Sequence, residues 1–297
     1  MRILVVGSKG FIGSHCLNYF QKENEVWGCD VFTNYNEKRF FLISGLNSDY
    51  GSIFSEAQFD TCINCSGAAS VPDSILHPAH DYELNVFNVA RILEAIRQHS
   101  PACKFINISS AAVYGNPPVL PIKESSPIRP LSPYGFHKAM AEKLCEEYYT
   151  FFGIATCSLR IFSAFGPGLR KQLLWDIYNK SKSLNSIELF GTGNESRDYI
   201  YIDDIVRAIE LVIRKSLFRS SVYNLGRGEA RTTGRISELL IGELHWKGNI
   251  IFSGNQRSGD PQHWQADITE IKKLGFESNV SIETGIKQYA SWLLSLD

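Results

Sequence analysis

Short apolar runs alternate with amphipathic stretches along the first half of the chain. RILVVG, residues 2–7, is apolar and β-branched before it reaches glycine, the pattern of a strand buried on both faces. FIGSHCLNYFQKE then places its apolar residues at helical spacing, and EVWGCD returns to a strand. DTCINCSGAA is another buried strand, and AHDYELNVFNVARILEAIRQHS predicts one long helix. Strand KFINISS follows, then a Pro-rich loop from Pro117 to Pro133, a helix carrying YGFHK, and strand IATCSLRIF. Strands alternating with helices over about half a chain predict an α/β fold, a doubly wound parallel sheet covered on both faces.

The rhythm changes after FGPG at Phe165 to Gly168, where short helices and strands with many glycines take over. DDIVRAIELVIRKS and SVYNLG still read as one more helix and strand of the first sheet. The expected division is therefore residues 1–166 with about 200–225 in one domain, and 167–199 with 226–297 in a smaller α/β one.

The bulk numbers exclude several classes. With 297 residues, 44% of them hydrophobic and 21% charged, the chain has the composition of a soluble globular protein. Thirty basic residues against thirty-one acidic ones leave a formal charge of -1, so no strong net field draws it to nucleic acid or membrane. The N-terminal apolar run is broken by Gly7, Gly10 and Gly13, unlike a signal peptide, and no run is long enough to span a bilayer. Seven irregularly spaced cysteines do not make a secreted disulfide pattern, and CINC at Cys62 to Cys65 reads as buried strand thiols. A cytoplasmic protein is expected, and no metal site.

GSKGFIG spaces glycines at 7, 10 and 13 between a strand and a helix. There they tighten a turn, let backbone N–H groups approach a pyrophosphate, and let helix and strand pack closely. Gly7, Gly10, Phe11, Ile12 and Gly13 are the expected contacts. Asp30, at the end of the second strand, would accept from a ribose diol and repel a 2′-phosphate, which favours NAD over NADP. Lys38 and Arg39 follow closely enough to leave room for some NADP use.

Tyr134 and Lys138 lie four residues apart at the start of a helix and so share a face. Taken alone, the pair is as well explained by a ring packed on a lysine stem. GSKGFIG, SSAAVYG, YGFHK, LRIFSAFGPG, GTGNESRDYIYIDD, VYNLG and RSGDPQHWQAD, in that order, decide otherwise. Together they resemble the extended short-chain dehydrogenase/reductase family, the NAD-dependent nucleotide-sugar epimerases and dehydratases, and are closest to the UDP-glucose 4-epimerase-like enzymes. The resemblance implies a Rossmann-type dinucleotide domain and a smaller nucleotide-sugar domain within the boundaries above. It also implies a catalytic group of Ser110, Tyr134 and Lys138. Tyrosine alone ionises near pH 10, too high for a base at neutrality; the lysine ammonium and a positive nicotinamide are expected to lower that value. Lys138 would also bind the nicotinamide ribose, Ser110 the reacting oxygen, and Asn85 would brace the cofactor.

On the substrate side the resemblance implies Arg197 and Arg257 as guanidinium forks for the diphosphate. Ser163 stands where many relatives have a substrate-binding asparagine, and FFLISGLN lacks the usual adenine-contacting aspartate. Trp264 falls where similar 4-epimerases vary a residue beside the sugar C2 substituent; its other reading is a core aromatic. Asp203 reads as the cap of the helix after it. Ala111 and Ala112 replace the acidic pair of the dehydratases, which points away from dehydration. A 4-epimerase is expected, with a 4-keto-6-deoxy-sugar nucleotide reductase and a silent nucleotide-binding protein as alternatives, and a homodimer through helices at 81–100 and 133–152.

Overall fold

The computed structural model describes residues 1–33, 37–45, 48–255 and 259–296. The first half builds β1 (Arg2–Val6), α1 (Phe11–Phe20), β2 (Glu25–Asp30), β3 (Phe40–Leu42), α2 (Tyr50–Glu56) and β4 (Thr61–Asn64). α3 (Val71–Leu76), α4 (Pro78–Tyr82), a π turn at Glu83–Phe87, α5 (Asn88–His99) and β5 (Lys104–Ser110) follow. A 3₁₀ turn at Ala111–Tyr114, α6 (Pro133–Phe152) and β6 (Thr156–Ile161) lead to the crossover. The single helix expected over residues 79–100 is thus broken. Prolines open α3 and α4 in their first turns, where the missing N–H costs nothing, and Glu83–Phe87 winds one residue too wide.

The rest comprises β7 (Ser163–Phe165), α7 (Gln172–Ser181), β8 (Ser186–Leu189), β9 (Ser196–Tyr201), α8 (Ile202–Lys215), β10 (Arg219–Leu225) and β11 (Ala230–Thr232). α9 (Thr233–Glu243), β12 (Asn249–Phe252), α10 (Thr269–Lys273) and α11 (Ile282–Leu294) end the chain. Seven strands form one parallel sheet in the order β10-β6-β5-β4-β1-β2-β3. β1 and β4 mark the point where the order reverses, which is where ligands bind in doubly wound sheets. β10 joins the far edge beside β6, as SVYNLG predicts. A three-stranded sheet, β11-β9-β7, and a parallel pair, β12-β8, make up the smaller part.

β1, β4 and β6 are buried along nearly their whole length, as central strands of a sheet covered on both faces are. Helix α6 starts on a Ser132 side-chain cap with Pro133 in its first turn and ends on Gly153 in the left-handed region, so its length and the depth of its first turn are set locally. Among the described residues no helix is long and apolar enough to cross a membrane.

Candidate active site

A cleft of about 350 Å³ opens over the ends of β1 and β4, lined among others by Gly7, Gly10, Asp30, Phe32, Ser66 and Gly67. Gly13 packs so closely that a side chain there would run into the Gly7 carbonyl, so the start of α1 lies against the strand end. Gly10 caps α1 with no side-chain hydrogen bond, which leaves the opening amides of Phe11, Ile12 and Gly13 for a ligand. Asp30 ends β2, and its two carboxylate oxygens accept from the Lys9 amide at 2.8 Å and the Val31 amide at 2.7 Å. Both oxygens keep lone pairs for a diol.

Asn85 sits in the π turn with both side-chain amide atoms buried and without a partner. Gly67 faces it at φ +109°, and a side chain at that position would strike the Asn85 oxygen. Unpaired buried amide atoms cost about 1–3 kcal/mol each, so they mark a place built for a ligand. A glycine cradle, a strand-end carboxylate and an unsatisfied amide are what a bound NAD requires, and the residues present fit it. Ser66 and Gly67 went unnoticed in the sequence; their place just after a buried strand at the sheet's reversal is the signal that could have found them.

Ser110, Tyr134 and Lys138 converge where β5 meets the first turns of α6. The Ser110 hydroxyl accepts from the Ala112 amide at 3.1 Å, which makes it a cap, and it lies close enough to the Tyr134 phenol to pull its pKa down. Lys138, 6% exposed, donates from Nζ to the Ile108 carbonyl at 3.0 Å and lies 5.8 Å from the centre of the Tyr134 ring. In the protein alone burial pushes Tyr134 up to about 12, against the smaller downward pull of Ser110. Burial likewise pulls Lys138 down to about 8. Desolvation outweighs the pairing until a cofactor adds positive charge.

Behind these residues Arg160 of β6 grips Glu142 of α6, with its Nη2 at 2.7 Å from the carboxylate, and donates to the Tyr114 hydroxyl, also at 2.7 Å. Ser109 of β5 donates to the same carboxylate at 2.6 Å, and the Tyr114 hydroxyl donates to Asn224 Oδ1 of β10 at 2.7 Å. This network fixes the catalytic helix against three strands of the sheet.

On the opposite wall Ser163 opens β7, half-buried and in register with Tyr199 of β9. Arg197 of β9 donates to the Ser196 and Gln262 carbonyls and lies 5.7 Å over the Trp264 ring. No carboxylate lies within ion-pair distance of it among the described residues; neighbouring Asp198 is fully buried and accepts from the Arg227, Gly228 and Ala266 amides. Burial lowers the Arg197 pKa against the smaller upward pull of Tyr199, Asp260 and Glu195. Trp264, 8% exposed, donates to the Gly115 carbonyl at 2.9 Å and packs edge-on against Phe162. It is a core aromatic that also forms the floor beneath Arg197. Arg257 lies outside the described residues. Asp203 stands in the first turn of α8 rather than at its cap, which is Tyr201. All seven cysteines are free, and no cluster of three or more His, Cys, Asp or Glu among the described residues could hold a metal.

Known proteins match this arrangement over the whole chain. An uncharacterized UDP-glucose epimerase of Bacillus subtilis, YtcB, is 31% identical over 100% of this chain and 99% of its own. The Thermotoga maritima UDP-glucose 4-epimerase with UDP-glucose superposes with a TM-score of 0.92 at 28% identity, covering 100% of this chain and 99% of that one. The Bacillus cereus UDP-glucuronic acid 4-epimerase, in complex with UDP-glucuronic acid and NAD, gives 0.91 at 26% identity over 100% of both chains. The model of the NAD dependent epimerase/dehydratase family matches residues 3–226, the span holding the glycine loop, Asp30, Asn85 and the serine, tyrosine and lysine. With that span matched and the cofactor cradle intact, the chain belongs to the NAD dependent epimerase/dehydratase family.

Proposed function

We propose that the protein is an NAD-dependent 4-epimerase of a nucleotide-diphosphate hexose, with UDP as the nucleotide. The observation that carries this is the convergence of Ser110 and Lys138 on Tyr134 beside a cofactor cleft, with Ala111 and Ala112 where a dehydratase needs acids. NAD held in the cleft by the glycine loop, Asp30 and Asn85 would supply the hydride acceptor and donor for C4. Tyr134 accepts the proton of the C4 hydroxyl and gives it back, Ser110 hydrogen-bonds that oxygen, and Lys138 offsets the tyrosinate charge and holds the nicotinamide ribose. Arg197 supplies a guanidinium without a carboxylate partner for the diphosphate, and the resemblance adds Arg257. Ser163, in the place of an asparagine, faces the sugar. Residues 1–166 with about 200–225 carry the cofactor in this reading, and 167–199 with 226–297 carry the nucleotide sugar.

The test is incubation of purified protein with a panel of UDP-sugars and no added cofactor, with both 4-epimers measured by chromatography. Interconversion supports the proposal. Steady oxidation of added NADH by a 4-keto sugar nucleotide, without interconversion, would assign a reductase instead.

A homodimer is part of the proposal. Phe136, Met140, Phe151 and Phe152 of α6, with Phe87 beside α5, are all exposed, Phe151 to 75%. Exposed aromatic side chains in this number on one helix favour an interaction surface, with Lys143 and Glu147 interspersed among them. A cytoplasmic location completes the reading.

A further inference from the structure

Buried carboxylates need partners, and Asp81 has only half of one. It lies on α4, one helical turn before Asn85, and is 1% exposed. One of its oxygens accepts from His137 Nδ1 at 2.6 Å; the other is buried with no hydrogen-bond partner. His137 is itself only 12% exposed, sits between Tyr134 and Lys138 on α6, and takes the edge of the Tyr82 ring on its other side. Nothing in the catalytic scheme uses either residue.

Lys138 has the complementary problem, an ammonium buried with a single carbonyl acceptor. The titratable groups that act on it come from four directions. Glu142, on its own helix, is committed to Arg160 in a fork. Lys171, before α7, is a like charge, and Cys65, at the end of β4, is a thiol. Tyr134 is neutral in the free protein because burial holds it protonated. Among the described residues that act on Lys138, that leaves Asp81, bonded to the adjoining His137, as the carboxylate whose charge no arginine cancels.

We propose that Asp81, held in place by His137, is the counter-charge that keeps Lys138 an ammonium ion, and is thus a positioning residue for the tyrosine–lysine pair. The catalytic meaning of this rests on the epimerase reading; the charge relation itself does not. Without the carboxylate, the buried amine would shed its proton near neutrality and leave tyrosinate without its cation.

The experiment reads the lysine directly. In NAD-free protein with ¹³C-labelled lysine, the Lys138 ε-methylene is assigned by its loss in Lys138→Met and followed through a pH titration. Asp81→Asn should lower its midpoint by about one pH unit, the usual size of a nearby charge effect, and Asp81→Glu should restore it. If Asp81→Asn does not fold, the double change Asp81→Leu, His137→Leu removes both partners together, which buried pairs tolerate well, and the same fall is expected. An unmoved midpoint in the variant that folds overturns the proposal. With a substrate in hand, the alkaline limb of kcat should shift to lower pH in parallel; an equal loss at every pH would mean a merely structural role. Absence of turnover in the wild type would sink the epimerase reading and leave the titration to decide the charge relation.

Discussion

Tyr134 cannot work as the free protein presents it, since a phenol held near 12 carries almost no tyrosinate at neutral pH. Removing its oxygen in Tyr134→Phe should abolish epimerisation by at least three orders of magnitude, as loss of an essential base does. NAD binding, read by fluorescence or calorimetry, should stay within about twofold because the ring remains. Lys138 carries a stability penalty of its own. It holds its proton less tightly folded than unfolded, so unfolding takes up protons between about pH 8 and the ordinary 10.5, and stability lost at neutral pH returns as pH rises through that window. Lys138→Met removes that penalty but also strands the buried Asp81 carboxylate, so at pH 7 its denaturant midpoint should stay near wild type while activity is destroyed, and adding Asp81→Leu should raise it. A double variant less stable than Lys138→Met would contradict this. Asp30→Ala should narrow the ratio of NAD to NADP affinity, and an unchanged ratio would show that Asp30 does not read the ribose. These residues were legible because each lies in a short local pattern. Asp81 and His137 were not, because their meaning arises only when two helices, 56 residues apart in sequence, are packed together.

At the scale of elements, the π turn is what the sequence concealed. Apolar spacing continues smoothly through AHDYELNVFNVARILEAIRQHS, and one extra residue in a turn shifts the face without breaking the period. The consequence is that Asn85 points inward with two unsatisfied atoms. Asn85→Ala should cost the free protein less than about 1 kcal/mol, since the cavity it opens is offset by the relief of unpaired amide atoms, yet weaken NAD binding about tenfold. A large loss of stability with unchanged NAD affinity would make Asn85 a packing residue. The Arg160–Glu142 fork behaves in the opposite way. Arg160→Met strands a buried carboxylate and should cost about 3–5 kcal/mol by denaturant unfolding, much of it recovered when Glu142→Leu is added. That pair is hidden in the sequence, because nothing in TCSLRI shows that β6 is buried on both faces and takes its arginine inside with it.

For the molecule as a whole, the doubly wound parallel sheet and the late return of β10 were readable from the alternation of strands and helices, while the place of the reversal, between β1 and β4, comes from the structure. The small sheets were not, since β7 and β11 are three residues each and draw their stability from neighbours rather than from pattern. The exposed phenylalanines of α6 lead to one prediction at this scale. Phe151→Glu with Phe136→Glu should convert a dimer to monomer in sedimentation at micromolar concentration, with the fold unchanged by circular dichroism. The wild type sedimenting as a monomer would remove the dimer reading. The return of β10 also dictates an order of events during synthesis. As the chain leaves the ribosome, six strands of the large sheet can assemble once β6 has emerged, but the far side of β6 stays bare until Arg219–Leu225 arrives, after β7, β8, β9 and α8 have been made. An open apolar edge invites pairing with another nascent chain. Ribosome-bound chains halted between these two points should therefore be the most aggregation-prone lengths of this protein, and the last strand to enter the cofactor sheet is its cover as well as its edge.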